Sequence, residues 1–334
     1  MNVDDVIKLA VPDIPMEILK LLKKGPVSGH DLAGELSCKP SRIKEAIADM
    51  RLRGYLIREN FDTYTLISVE GVDKPRVVFK AEKGQWQHRF GIVGDAHLAN
   101  KHSRLDIQGE AYDLFARMGI KHVLQPGNIS DGDHKFTRPE RIIRPGMDPE
   151  MDYVIDNYPQ RDGIKTYFVA GDDHEGWYQQ RECIEIGRYL HNRAREQGRK
   201  DLHYCGYAEA DLELKTPGGS AVLRLLHPGG GSAYAISYRD QKRVEAYQGG
   251  EKPAVEVAGH YHKYNAGYPR EVFTLQPGCL VDQTLFMRKR SIQAMVGFCV
   301  LLISQDMTDG HVTGVAHQWF PRYDRAFYER RYSI

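Results

Sequence analysis

Residues 89–97 read RFGIVGDAH, a β-type run over 89–93 that is followed at once by Asp95 and His97. Four later segments repeat this arrangement, in which oxygen and imidazole side chains follow an apolar or β-type run. The four are Gly127-Asn128-Ile129-Ser130-Asp131 after 122–124, Gly171-Asp172-Asp173-His174-Glu175 after 167–170, His227 after 221–226, and Gly259-His260-Tyr261-His262 after 254–258. Strand ends open onto loops at one edge of a sheet, where side chains far apart in sequence can converge. We therefore expect the five segments to form one site.

The side chains in these segments suit divalent cations. Asp, Asn and His offer hard or borderline oxygen and nitrogen donors, which Met and Cys do not. Two such ions about 3.5–4 Å apart can clamp a phosphate and neutralise the charge that develops during its hydrolysis. The pattern therefore predicts a two-metal site for phosphoester chemistry.

The order of the motifs, D-x-H, G-D-x-x-D, G-N-H-[DE], H and G-H-x-H, resembles that of the calcineurin-like metallophosphoesterases. The segment Gln276-Pro277-Gly278-Cys279 after the last motif resembles the Pro-Gly-Ser turn of the nuclease-type members of double-strand-break repair complexes. The resemblance covers about residues 89–303, with all five motifs in order. It implies an α/β fold, a two-sheet metallophosphoesterase sandwich flanked by helices. It also implies two divalent metal ions as cofactors, with Mn expected and Fe or Zn as alternatives.

Carried over residue by residue, the resemblance assigns metal ligands and catalytic groups. The ligands are Asp95, His97 and His262 for the first ion, Asp173, His227 and His260 for the second, and Asn128 as the bridge. His174 is the expected proton donor to the leaving oxygen. Asp131 is expected to orient His174 rather than to bind a metal, since an outer carboxylate fixes an imidazole tautomer. A turn or helix cap beside Gly132 is the alternative role for Asp131.

Two positions depart from the family pattern. Asn128 stands where a bridging Asp is expected, and Asp173 stands where an Asn is expected. An amide is neutral and offers one good metal-binding oxygen, so Asn128 bridges two cations less well than a carboxylate, while Asp173 returns the negative charge. Three explanations are open: a natural exchange of the two ligands, a weakened or single-metal site, and a deliberate Asp-to-Asn substitution that inactivates an enzyme.

The N-terminal part of the chain predicts a separate unit of three helices followed by a β-hairpin. Asp13, Ser28 and Pro40 begin the three helices, and the hairpin turns at residues 59–62. This order is typical of a winged helix-turn-helix domain, whose third helix normally faces the DNA major groove. We therefore predict a winged helix-turn-helix domain over 1–70, a linker over 71–88 and a metallophosphoesterase domain over 89–334.

The third helix and the hairpin carry the candidate nucleic-acid-binding side chains. These are Lys39, Arg42, Lys44, Arg51, Arg53 and Arg58. Basic side chains suit contacts with phosphates, although Glu45 and Asp49 dilute the charge. The alternative is a solvated helix face in a domain that packs against the enzyme or forms a homodimer.

Composition favours an intracellular enzyme that does not associate with membranes. The net charge is only +1, so binding to DNA or another nucleic acid must come from local patches. The five cysteines are widely spaced and form no C-x-x-C pattern, which favours a reducing compartment. The N-terminus lacks a signal-peptide pattern, and the longest apolar run, 294–303, is too short for a membrane span and predicts a buried strand. We expect a cytoplasmic location.

After residue 88 the chain alternates strand and helix patterns, as expected for sheets covered by helices. Helices are predicted over 104–118, 178–198 and 233–247. A hairpin is predicted over 212–226, turned by Pro217-Gly218-Gly219, and its second strand leads to His227.

The predicted function is a metal-dependent phosphodiesterase that hydrolyses nucleic-acid phosphodiester bonds, specifically a DNA nuclease with a DNA-binding winged helix. Two alternatives are open. One is a phosphomonoesterase or cyclic-nucleotide phosphodiesterase whose N-terminal domain serves assembly. The other is a metal-binding protein whose catalysis is weakened by Asn128.

Overall fold

The structure is a computed structural model that describes residues 13–68, 75–81, 86–132, 141–231 and 233–322. Within these ranges the chain is a mixed α/β protein with two six-stranded mixed sheets and one three-stranded sheet. Helices pack around the sheets. No helix in these ranges is both long enough and apolar enough to cross a membrane.

The three-stranded sheet belongs to an N-terminal unit with a core of its own. The elements are α1 (Ile14–Leu22), β1 (Val27–Ser28), α2 (Gly29–Glu35), α3 (Pro40–Leu52), β2 (Ile57–Asn60) and β3 (Thr63–Leu66). Both strand pairs are antiparallel, and Ile18, Leu32, Ile43 and Tyr64 lie in the core. Three helices and a hairpin thus occur where the pattern predicted them. Residues 1–12, 69 and 70 lie outside the described residues, and the winged helix assignment stays a prediction.

The first six-stranded sheet carries three of the five motif segments. In spatial order its strands are β15 (Val312–Pro321), β14 (Gly297–Gln305), β5 (Gln87–Val93), β6 (His122–Gln125), β7 (Lys165–Ala170) and β8 (Leu202–Tyr207). Strands β5 to β8 are parallel, and β14 runs antiparallel to β5 and β15. The buried strand predicted within 294–303 is β14.

The second six-stranded sheet carries the other two segments. In spatial order its strands are β12 (Tyr264–Gly267), β13 (Phe273–Pro277), β11 (Val255–Ala258), β10 (Ser220–Leu226), β9 (Glu209–Lys215) and β4 (Val77–Lys80). Strands β9 and β10 form the predicted hairpin, and β10 is parallel to β11.

The predicted linker over 71–88 is partly regular structure. Strand β4 pairs in parallel with β9 at the edge of the second sheet, because Phe79 can bury its ring in the core between the sheets. Strand β5 already begins at Gln87. Residues 71–74 and 82–85 of this segment lie outside the described residues.

Two apolar cores hold the two large sheets in place. Phe90 and Leu124 of the first sheet meet Leu225 and Val257 of the second in one core. The other core lies between the first sheet and its helices, which explains why the second half of β5 is apolar on both faces, with Val93 in one core and Ile92 in the other. The remaining helices are α4 (Leu105–Arg117), α5 (Met147–Asn157), α6 (Trp177–Glu182), α7 (Ile186–Glu196), α8 (Tyr238–Ala246) and α9 (Leu285–Lys289).

The predictions for two helices require correction. The pattern over 178–198 forms α6 and α7, separated at Cys183, which has a left-handed φ of 62°. Beside this break the backbone N–H of Glu185 donates to the carbonyl of Gly54 (2.9 Å), so a tertiary contact fixes it. The predicted helix over 233–247 begins only at Tyr238. The side chains of Tyr234 and Ile236 are exposed, so a helix there would bury little apolar surface.

The N-terminal unit packs directly against α7. Besides the Gly54–Glu185 bond, the side chain of Asn192 donates to the carbonyl of Leu52 (3.0 Å). Gly54 has φ +84°, and a Cβ at this position would lie 2.8 Å from the carbonyl oxygen of Glu185. Only glycine satisfies both conditions without a shift of the backbone.

Candidate metal centre

The five motif segments meet at one end of the two sheets. Each segment follows the carboxyl end of a strand, namely β5, β6, β7, β10 and β11. Strands β5, β6 and β7 are mutually parallel in the first sheet, and β10 and β11 are parallel in the second. The site is therefore assembled from both sheets.

The first cluster consists of Asp95, His97 and His262, whose donor atoms lie within 4.8 Å of one another. Nε2 of His97 is 3.1 Å from Nε2 of His262, and Nε2 of His262 is 3.6 Å from Oδ1 of Asp95. A divalent ion held about 2.0–2.2 Å from each donor places adjacent donors roughly 3–3.5 Å apart. The three side chains fit one such ion.

The second cluster consists of Asp173, His227 and His260, also within 4.8 Å. Nε2 of His227 is 3.2 Å from Oδ1 of Asp173, and Nδ1 of His260 is 3.1 Å from Oδ2. The His227–Asp173 contact lacks hydrogen-bond geometry although the nitrogen is buried. Donor atoms that are close but not aimed at each other fit a shared cation.

Hydrogen bonds orient three of these imidazoles. Nδ1 of His227 donates to the carbonyl of Pro126 (2.8 Å), and Nε2 of His260 donates to the carbonyl of Gly230 (2.6 Å). Nδ1 of His97 lies 3.1 Å from Oδ1 of Asp131. Since carbonyl and carboxylate oxygens accept, each ring donates through that nitrogen, and its other nitrogen is the one that can offer a lone pair to a cation once the ring is neutral.

The backbone around the ligands is strained. His97 (φ 44°), His260 (φ 79°) and His262 (φ 55°) all occupy the left-handed region, which residues other than glycine rarely adopt. Such strain, roughly 1–3 kcal/mol per residue, persists where the surrounding structure enforces it and concentrates at functional sites.

The charges of the second cluster shift the pKa values of His227 and Asp173. Burial by itself would lower the pKa of His227, but Asp173 outweighs burial and raises this pKa to about 10. Burial would raise the pKa of Asp173, yet His227 and His260 hold it well below its usual range. In the first cluster, burial lowers the pKa of His262 to about 3. His227 is therefore protonated at neutral pH in the metal-free protein, and a cation that binds its ring would displace this proton.

Asn128 contacts the second cluster. Its side-chain Nδ2 donates to Oδ1 of Asp173 (2.8 Å), and its backbone carbonyl accepts from the N–H of Ala96 (2.8 Å). The two residues that depart from the family pattern are therefore direct neighbours. The predicted bridging role of Asn128 stays a prediction.

Asp131 lies between two imidazoles rather than in either ligand cluster. Its Oδ1 is 3.1 Å from Nδ1 of His97 and 3.4 Å from Nδ1 of His174, and its backbone carbonyl accepts from Nδ1 of His174 (3.0 Å). Asn100 donates to Oδ2 (3.0 Å). Asp131, His97 and His174 also form a third group whose donor atoms lie within 4.8 Å.

His174 contacts Asp131 and lines the cleft, and its predicted role as proton donor stays a prediction. Burial opposes its charged form, but the hydrogen bond to Asp131 and the charges of Asp173 and Asp131 raise the pKa of His174 to about 9. Nδ1 of His174 is engaged by Asp131, and the side chain lines the cleft. The ring is therefore protonated at neutral pH in the absence of cations, which lower its pKa when bound.

Two buried glutamates support the site, and the sequence pattern assigned them no role. The carboxylate of Glu175 accepts from the backbone N–H groups of Ile129 (2.8 Å), Ser130 (2.7 Å) and Gly171 (2.9 Å). It thereby ties the loop after β6 to the loop after β7. Glu150 accepts from the N–H of Gly132 and the hydroxyl of Tyr178. Glu175 belongs to a quoted motif, whereas Glu150 lies on α5, a helix that we did not predict.

A cleft of about 660 Å³ opens over the clusters. Arg141, Trp177, Phe286 and Arg290 are among the side chains that line it. The candidate nucleic-acid-binding residues of the N-terminal unit do not belong to its lining.

Three of those six N-terminal residues form ion pairs with acidic neighbours. The ion pairs are Arg42–Glu45 (3.3 Å), Arg51–Glu59 (3.4 Å) and Arg53–Asp49 (3.0 Å). Lys39, Lys44 and Arg58 are exposed.

No family model and no curated protein sequence matches this chain. Among solved structures, an archaeal phosphodiesterase is similar at 12% identity and a TM-score of 0.38, covering 70% of this chain and 99% of its own. Vacuolar protein sorting 29 from Cryptosporidium parvum is similar at 15% identity and a TM-score of 0.37, and the match covers 71% of this chain and 100% of that protein. A predicted phosphoesterase from Streptococcus pneumoniae is similar at 13% identity and a TM-score of 0.31, and the match covers 71% of this chain and 98% of that protein. What this chain does is therefore inferred from its own site.

Proposed function

We propose that this protein is a metal-dependent phosphodiesterase that acts on nucleic acid. One observation carries the proposal. Two clusters of Asp and His lie side by side at the carboxyl ends of parallel strands, each with donor spacings that fit a divalent cation. Beside these four imidazoles a fifth, His174, is held by Asp131 and lines a cleft.

Asp95, His97 and His262 would hold one ion, and Asp173, His227 and His260 the other. Mixed carboxylate and imidazole donors suit Mn²⁺, Fe²⁺ or Zn²⁺, and we propose Mn²⁺ as the activating metal. When bound, such a pair of ions supplies Lewis-acid polarisation of the phosphate and an activated water nucleophile. Asn128 could present its amide oxygen next to Asp173 if the side-chain amide rotated by about 180°, since its nitrogen now faces Asp173.

The chain itself supplies a proton and positive charge. Protonated His174 can donate from Nε2 to the oxygen of the leaving group, and Asp131 stabilises the ring in the orientation that this requires. Arg141 and Arg290 line the cleft, and neither forms an ion pair with another residue in the described ranges. Two unpaired guanidinium groups beside the clusters favour an anionic substrate.

Nucleic acid is proposed as the substrate because of the N-terminal unit. Lys39 and Lys44 at the start of its third helix are exposed, whereas the end of this helix contacts α7 through Leu52. The unit is nearly neutral, with nine basic and eight acidic residues over 13–68. Any contact with phosphates would therefore be local, and we expect it to contribute modestly to affinity.

The test begins with the metal content. Full-length protein stripped with chelator and reloaded with Mn²⁺ should hold two ions per chain by elemental analysis. Both His262→Ala and Asp95→Ala should lose one ion. His311→Ala, which removes an exposed imidazole paired with Asp309, is the matched control and should keep two. Unchanged metal content in the His262 and Asp95 variants would refute the ligand assignment.

Substrate class is tested on the Mn²⁺-loaded protein. Hydrolysis of bis-p-nitrophenyl phosphate and of labelled single- and double-stranded DNA is compared with that of p-nitrophenyl phosphate. Faster cleavage of the diesters supports the proposal. Turnover of the monoester alone would instead identify a phosphomonoesterase.

A further inference from the structure

We propose that helix α9 forms a subsite for an unpaired nucleobase, in which Phe286 stacks on the base and Arg290 contacts the adjoining phosphate. The inference rests on the proposed function and adds a specificity determinant to it. Its starting point is an aromatic ring that the fold leaves uncovered. Phe286 is 53% exposed, although it lines the cleft above the metal clusters.

The helix presents this ring on a fixed support. The backbone N–H of Met287 donates to the hydroxyl of Thr284 (3.3 Å) and caps the helix. The N–H of Ile292 donates to the carbonyl of Met287 (2.8 Å), and the side chain of Gln283 donates to the carbonyl of Ile292 (2.7 Å). Met287 itself is buried. A short helix anchored at both ends therefore holds Phe286 at the rim of the cleft.

Arg290 complements the ring. Its guanidinium carbon lies 5.8 Å from the centroid of Phe286, within the range of a cation–π interaction. It forms no ion pair with any other part of the chain that the structure describes. A platform that joins an aromatic face to a free cation matches a nucleotide, which joins an aromatic base to an anionic phosphate.

The base must be unpaired to reach this position. A base inside a duplex is already stacked on both faces, and exposing it costs a few kcal/mol. An end, a loop or a single strand avoids this cost. Stacking of one base on an aromatic side chain contributes about 1–3 kcal/mol, which corresponds to roughly 5–150-fold in affinity or rate.

The experiment compares two diesters that differ only in the base. The first is the p-nitrophenyl ester of thymidine 5′-monophosphate, and the second is the same compound with hydrogen in place of thymine. Because both release p-nitrophenolate, the ratio of their kcat/KM values reports recognition of the base. The ratio is measured with the Mn²⁺-loaded full chain for wild type, Phe286→Ala, Phe286→Trp and Leu285→Ala. Leu285 is the matched control, since it is 49% exposed on the same helix but does not line the cleft.

We expect a wild-type ratio of at least about fivefold, a ratio near one in Phe286→Ala, and a wild-type ratio or higher in Phe286→Trp and Leu285→Ala. Hydrolysis of both compounds with the same ratio in wild type and Phe286→Ala would overturn the subsite and leave the proposed function intact. Hydrolysis of neither compound by wild type would overturn both.

Discussion

At the scale of single residues, the site depends on pairs that hold each other in position. Asp131 engages His97 through its carboxylate and His174 through both its carboxylate and its backbone carbonyl. One residue thus orients an expected metal ligand and the expected acid. This double contact favours a positioning role for Asp131 over the simple turn cap that the sequence left open.

His174→Ala should leave both ions bound and lower turnover by roughly 10²–10⁴-fold on DNA, whose alkoxide leaving group needs a proton. On bis-p-nitrophenyl phosphate the loss should be much smaller, since p-nitrophenolate leaves without one. Steady-state kinetics on both substrates, together with metal analysis, provide the measurement. Equal losses on the two substrates would show that His174 is not the acid.

Asn128→Asp should tighten metal binding, because a carboxylate replaces a neutral amide next to the second cluster. It also places two carboxylates in contact where Nδ2 of Asn128 now donates to Asp173. We therefore expect only a small gain in turnover for the single variant and full activity for Asn128→Asp with Asp173→Asn. Metal titration and diester hydrolysis test both variants. An inactive parent chain with a strongly active single variant would instead identify Asn128 as an inactivating substitution.

At the scale of structural elements, buried acceptors fix the loops that carry the ligands. Glu175 holds three backbone N–H groups from two loops, and burial raises its pKa to about 7. Cys183 marks another junction, at which α6 ends and α7 turns to meet the N-terminal unit. Glu175 and Cys183 belong to neither cluster, yet each fixes the position of the segments next to it.

Glu175→Gln should lower the free energy of unfolding by about 1–3 kcal/mol, since the amide loses one acceptor and turns its NH₂ group toward backbone donors. Urea unfolding of the metal-free protein at pH 8, where the wild-type carboxylate is ionised, measures the change. Glu251→Gln alters an exposed glutamate and should stay within about 0.5 kcal/mol of wild type. A Glu175 variant as stable as that control would contradict the assigned role.

At the scale of the whole molecule, each of the two candidate ligand clusters combines side chains that follow strands of both sheets. Asp95 and His97 follow β5 of the first sheet, whereas His262 follows β11 of the second. Asp173 follows β7 of the first sheet, whereas His227 and His260 follow strands of the second. A cation in either cluster would therefore link both halves of the sandwich and stabilise the folded state.

Mn²⁺ should raise the melting temperature, and more strongly at pH 8 than at pH 6. The pKa of His227 in the folded metal-free protein, about 10, exceeds the unfolded value of about 6.5. Protonated His227 therefore stabilises that protein fully below the unfolded pKa, and this contribution disappears as pH rises through 10. Since the ion must displace the proton, affinity should increase by about tenfold per pH unit in this window. Calorimetric titration in buffers of different ionisation enthalpy detects the released proton. Affinity independent of pH would contradict this linkage.

Local sequence patterns were enough to predict which polar side chains follow which strands. The local pattern of runs such as 89–93 and 221–226 predicts strands, and Asp95 and His227 follow shortly after the ends of these two runs. The order of strand, loop and ligand therefore required no knowledge of the tertiary structure. The three N-terminal helices and the hairpin over 209–226 were predictable for the same reason, since caps, turns and apolar periodicity are properties of adjacent residues.

Features that depend on contacts between distant residues became visible in the folded chain alone. The division of one predicted helix at Cys183 follows from the bond between Glu185 and Gly54, which are 131 positions apart. The role of Glu175 follows from N–H groups that another strand's loop brings to it. The contact between Asn128 and Asp173 likewise requires β6 and β7 to lie side by side. Local sequence pattern can indicate that a polar or charged residue follows a strand. Which residue it contacts depends on how the strands and sheets pack in the folded chain.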